Sequence, residues 1–220
     1  MKLFKRNSAA KPSPIVVPPT TKFEGNDGSW STFYINVGYP TGQNFRVLVS
    51  TSSVLTWVIA PQGCTSSDPS DCPELRGVED YAGAKSSGYN PSDSVNATTM
   101  GDYALAVDGA TATLSSLYGP RYSGINVAVY DDVVGLGEYS TGSLRLTEVF
   151  GAVASTDIFL GEFGLGITGF GFGSGDYSTF LDLLPHCSMP IPSLSYGYTA
   201  GASYRKDPNS EISLKSSNKL

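Results

Sequence analysis

The chain has 220 residues, with 14 Lys and Arg against 20 Asp and Glu and a formal net charge of -6. No basic stripe is present to neutralise phosphates, which excludes a nucleic-acid-binding role, and no stretch approaches the ~18 apolar residues of a membrane span. An aromatic content of 11% excludes a disordered chain, while a charged fraction of only 15% and 13 Tyr point to strands with polar, uncharged outer faces.

Residues 1–22 are rich in Lys, Ser and Pro, including Pro12, Pro14, Pro18 and Pro19, and are expected to form an extended or disordered leader. Met1 to Arg6 carries the charge of a signal-peptide start, but no apolar run of ~7 residues follows it, so no signal peptide is present in this chain as written. Three short aromatic or β-branched runs then read as strands: Phe33 to Val37, Phe45 to Val49 and Leu55 to Ile59. Gln62 to Pro91 is polar and reads as a long surface loop. Tyr103 to Val107 is a predicted strand, Thr111 to Leu117 and Ile125 to Val134 a predicted hairpin, and Leu144 to Ser155 and Ile158 to Ile167 continue the β pattern. Tyr177 to Leu184 is the one helical segment, stopped by Pro185. Arg205 to Leu220 is Lys/Ser-rich and predicted irregular. Short strands with few helices predict an all-β sandwich or barrel.

The most informative segment is Phe45 to Pro61. An apolar run, Val47-Leu48-Val49, leads into Ser50-Thr51-Ser52-Ser53, and Trp57-Val58 follows. This frame resembles the catalytic loop of pepsin-like aspartic proteases, in which Asp-Thr-Gly-Ser-Ser stands between an apolar strand and Trp-Val. The resemblance extends from about Phe23 to about Tyr204, and is nearest to the amino-terminal lobe of fungal secreted members. Trp30 to Gly38 is similar to the first strand of that lobe, and Tyr39 to Gln43 to its Gly-Thr-Pro-x-Gln turn. Tyr130 to Gly137 is similar to the strand after the flap. Phe163 to Gly166 is similar to the segment that passes beneath the catalytic loop, and Ile191 to Tyr196 to the strand leading toward the second lobe. The resemblance implies a single pepsin-like β-barrel or sandwich lobe over residues 23–204, with the leader before it and an irregular tail at 205–220. It also implies an extracellular, secreted protein whose export signal is missing from this chain.

What the resemblance implies chemically depends on position 50. An aspartic protease uses two carboxyl groups about 3 Å apart, one from each lobe, which share a proton because both cannot ionise. One is a base toward water and the other an acid toward the substrate carbonyl. Here the first carboxyl is replaced by Ser50, whose neutral hydroxyl is no resting-state base. Ser52 replaces the turn glycine, and no second lobe with the second Asp follows. Asp27, Asp108 and Asp157 read as turn residues or strand caps rather than substitutes. A Ser50 nucleophile would need a base, and the only histidine, His186, sits in a predicted loop. His186 and Cys187 lack metal-ligand spacing, and no metal or cofactor is expected.

The resemblance implies further roles. Tyr118-Gly119 corresponds to the flap tip over a peptide groove, or Tyr118 is one more tyrosine on a β surface. Trp57 either lines the cleft or belongs to the core. Cys64 and Cys72 match a small disulfide loop of the family, and Cys187 is either a free thiol or has lost its partner. Asn96-Ala97-Thr98 is a glycosylation sequon. Two functions are expected in competition. One is a degenerate, inactive homologue that binds an extended peptide or a polysaccharide. The other is a fragment of an endopeptidase active at acidic pH only with a missing second lobe or partner.

Overall fold

A computed structural model describes residues 14–24, 30–104, 126–139, 144–156, 158–167, 170–172, 175–186, 195–199 and 211–214. The chain is all-β, with thirteen strands and short helices among the described residues. In chain order the strands are β1 (Ile15–Val17), β2 (Pro19–Glu24), β3 (Trp30–Val37), β4 (Gln43–Ser50), β5 (Trp57–Ile59), β6 (Thr98–Ala104), β7 (Asn126–Leu136), β8 (Arg145–Val153), β9 (Gly161–Gly164), β10 (Phe170–Phe172), β11 (Gly175–Tyr177), β12 (Tyr196–Thr199) and β13 (Glu211–Leu214). Eight of them form one mixed sheet in the order β2-β3-β4-β9-β5-β8-β7-β6. An extra pairing of β3 with β7, through Ile35 opposite Leu136, closes that order into a ring of six strands. Closure leaves β2 and β6 outside the ring, each paired on one side among the described residues. A three-stranded sheet, β1-β13-β12, and the β10-β11 hairpin complete the described strands.

The strand alternation sorts side chains into two apolar clusters. On β7 and β8, Val134, Phe150 and Ala152 enter a cluster with Phe33, Ile35, Val47, Val58 and Phe163. The intervening Val127, Val129, Val149 and Val153 enter a second cluster with Leu55 and Trp57. Apolar side chains on both faces explain why β3 and β5 read as continuous runs rather than alternating ones.

Several expectations change. The leader expected to be extended or disordered contains two strands, Ile15–Val17 and Pro19–Glu24. The tail expected to be irregular contains β13, which pairs with β1 from the other end of the chain. Both segments are short and depend on a distant partner, which local patterning does not reveal. The segment 62–91 is more than a surface loop. It holds the helix α1 (Cys72–Leu75), a bridge from Val78 to Phe45, and the buried residues Arg76, Val78 and Tyr89. The helix expected near the carboxyl end is α2 (Phe180–Leu183), capped by Thr179 and continued by a 3-10 turn at Leu184–His186.

Candidate functional site

Ser50 is the last residue of β4, and β9 runs parallel to it with Val49 opposite Phe163 and Ser50 opposite Gly164. The chain leaves β4, turns through Thr51 and Ser52, both exposed, and re-enters the core at Ser53. The segment after β9 holds this loop from beneath. Leu165 N–H donates to Ser50 O at 2.8 Å, and Gly166 N–H donates to Ser53 O at 2.7 Å. Ser53 Oγ donates to Leu55 O at 2.7 Å, which fixes the exit of the loop. Small residues are required below it. A Cβ on Gly166 would stand 2.6 Å from Val54 Cγ1 and 2.7 Å from Ser53 O, closer than side chains tolerate.

Among the described residues, the Ser50 hydroxyl is bonded within its own loop. It accepts from Ser53 N–H at 3.2 Å and is hydrogen-bonded to Ser52 Oγ at 3.3 Å. The loop therefore presents neutral hydroxyls from Ser50, Thr51 and Ser52, and no general base. His186 is exposed, in the turn that follows α2. Among the described residues no group of three His, Cys, Asp or Glu side chains is placed to hold a metal ion.

Trp57 does not line a cleft. It is 2% exposed and packed in the second cluster, where its ring lies against Gly151 so closely that a Cβ there would be 2.7 Å from it. Cys64 and Cys72 form a disulfide with their Cα atoms 5.9 Å apart. Asn96 is exposed just after the short turn Pro91–Asp93. Tyr118 and Gly119 lie outside the described residues, as do Asp27, Asp108, Asp157 and Cys187.

Sequence reasoning missed the buried charges. Arg76 is 3% exposed and donates to five backbone carbonyls, those of Gly63, Ala154, Ser155, Ile158 and Phe159. Burial pulls its pKa below the usual value, with the Asp68 charge opposing. Arg46 is enclosed by Glu24 and Glu79 and also donates to Glu74 O. Asp132 accepts from Tyr89 Oη and Ser94 Oγ, each at 2.8 Å, and from its neighbour Val133 N–H at 2.7 Å. Burial first, and then the Asp132 charge, hold the Tyr89 phenol well above its ordinary pKa. Glu148, on β8, is fully enclosed and accepts from Thr56 Oγ1 at 3.3 Å. An inward charge breaks the apolar alternation by one residue, which is the only signal a single sequence gives for it.

No protein-family model matches this chain, and a search of the curated proteins found no match.

Proposed function

We propose that this chain is a degenerate member of the pepsin-like aspartic peptidases, of the fungal secreted type: a single amino-terminal lobe that has lost peptidase activity and binds an extended peptide or a polysaccharide strand. The observation that carries the reading is the loop at Ser50. A strand end, a small polar turn and a glycine-bearing segment crossing beneath it are the parts that would hold a catalytic carboxylate, and a hydroxyl stands in the carboxylate's position. A hydroxyl cannot hold negative charge at any working pH, so the loss is one of kind. The exposed Thr51 and Ser52 offer neutral hydrogen-bonding groups, suited to main-chain amides or sugar hydroxyls rather than to charged ligands. The Cys64–Cys72 disulfide and the exposed Asn96 sequon fit a secreted, glycosylated protein.

The test is digestion of a denatured protein substrate at acidic pH, with and without a pepsin-type transition-state inhibitor. The expected result is no inhibitor-sensitive cleavage by the purified chain. Inhibitor-sensitive cleavage by the chain alone overturns the inactive reading; the rival, in which a partner lobe completes the site, expects cleavage only once that lobe is added. That rival draws on the three-stranded sheet, where Val16 and Tyr198 remain 49% and 41% exposed.

A further inference from the structure

Glu148 and Asp132 are cross-strand partners in the middle of β8 and β7. Both are buried on the side of the ladder that also carries Phe150 and Val134. Their surroundings differ. Asp132 receives three donors: the Tyr89 and Ser94 hydroxyls and the Val133 N–H. Glu148 receives the Thr56 hydroxyl and the Phe180 N–H, and its Oε2 has no hydrogen-bond partner among the described residues. Two carboxylates on facing positions of one enclosed ladder are costly to ionise together. Glu148, with one oxygen unpartnered, is the member that holds a proton. Of the elements packed on Glu148, β7 brings the acidic Asp132 and α2 carries the acidic Asp182 in its first turn, while Thr56, just before β5, is neutral. No Lys, Arg or His among the described residues is bonded to Glu148.

The two groups that Glu148 holds both lead to the serine loop. Thr56 directly follows Leu55, whose carbonyl is bound by Ser53 Oγ. Phe180 packs edge-on against Phe163, ring centroids 5.2 Å apart, and Phe163 precedes the Gly164 that pairs with Ser50. We propose that Glu148 is a proton-operated lock on the serine loop. Uncharged, it clamps the loop's exit at Thr56 and the start of α2 at Phe180. Ionised, it must be rehydrated, and its hold on Thr56 and on the start of α2 is released.

The pH window follows from the direction of the shift. Burial raises Glu148 from the ordinary 4.5 to about 8, against the opposing pull of the Thr56 and Phe180 donors. The folded chain thus holds a proton that the unfolded chain has already lost. Below the ordinary glutamate value the group costs nothing. Destabilisation grows as pH rises toward about 8 and is constant above it. The lock is closed in acid and opens in neutral to alkaline solution.

Hydrogen exchange of the Phe180 amide in the full chain, corrected for the intrinsic rate, reads the lock directly. In the wild type its opening equilibrium should rise by up to about tenfold per pH unit between the two pKa values. Glu148→Gln, which keeps an acceptor for Thr56 and cannot ionise, should flatten that rise, and the thermal midpoint should lose the same pH dependence. A rise equally steep in Glu148→Gln overturns the proposal. Should that variant not fold, the wild type alone decides: Phe180 protection independent of pH across the window overturns it equally.

Discussion

Ser50 and Gly164 lie side by side on parallel strands, and the residues that follow each of them are bonded to one another through Leu165 N–H on Ser50 O and Gly166 N–H on Ser53 O. The serine loop is thereby fixed from one side by backbone alone. On that side its shape does not depend on the side chain at position 50, so a substitution there should leave the fold intact.

Replacing Ser50 with Asp tests that separation. The new carboxylate can accept the Ser53 N–H that now reaches Ser50 Oγ at 3.2 Å. The fold should be retained, with a change in stability within about 1 kcal/mol. Peptidase activity should not appear, because one carboxyl has no neighbour with which to share a proton. Release of acid-soluble peptides from a denatured substrate by this single variant would reveal a second carboxyl already in place.

Gly166→Ala addresses the floor of the loop. The added methyl meets Val54 Cγ1 at 2.6 Å and Ser53 O at 2.7 Å, and the carbonyl is tied to the loop's own backbone. The substitution should destabilise by about 1–3 kcal/mol, read as a lower denaturant midpoint with unchanged slope. A midpoint equal to the wild type would mean that the loop is looser than this packing implies.

Arg76→Met keeps the volume of the stem and removes every guanidinium donor. Carbonyls from residues 63, 154, 155, 158 and 159 then lose a partner in a buried place. A loss of at least about 3 kcal/mol is expected from several orphaned acceptors at once. Chemical denaturation of the variant checks it, and a loss under about 1 kcal/mol would assign the carbonyls other partners.

The disulfide closes a short loop, with eight positions separating Cys64 from Cys72. The unfolded chain is therefore constrained only modestly. The double change Cys64→Ser, Cys72→Ser should cost about 2–3 kcal/mol. Thermal unfolding measured with and without reductant should show the same loss in the wild type and none in the variant.

Much of the closed sheet could be read from side-chain pattern, because β-branched and aromatic runs such as Val47-Leu48-Val49 and Trp57-Val58-Ile59 carry their own period. The loop at Ser50 was legible for the same reason, since strand, turn and following Trp lie within one short segment. Arg46 shows where that reading stops. A charge within a strand suggests a solvent-facing position, yet Arg46 is 1% exposed because Glu24 and Glu79, from separate segments, converge on it. Glu148 and Asp132 escaped notice likewise, as their significance lies in facing one another across a ladder. The strand at Glu211–Leu214 has only four residues, and its order depends on β1 and β12 rather than on its own composition.

That last pairing has a mechanical side. β1 and β13 run antiparallel with Ile15 opposite Leu214, so the chain enters and leaves the small sheet at the same end of the ladder. Tension applied through the two ends would peel β1 from β13 rung by rung, starting at Ile15, rather than shear the whole ladder at once. The small sheet would yield at low force, leaving the six-stranded ring to bear the load afterwards.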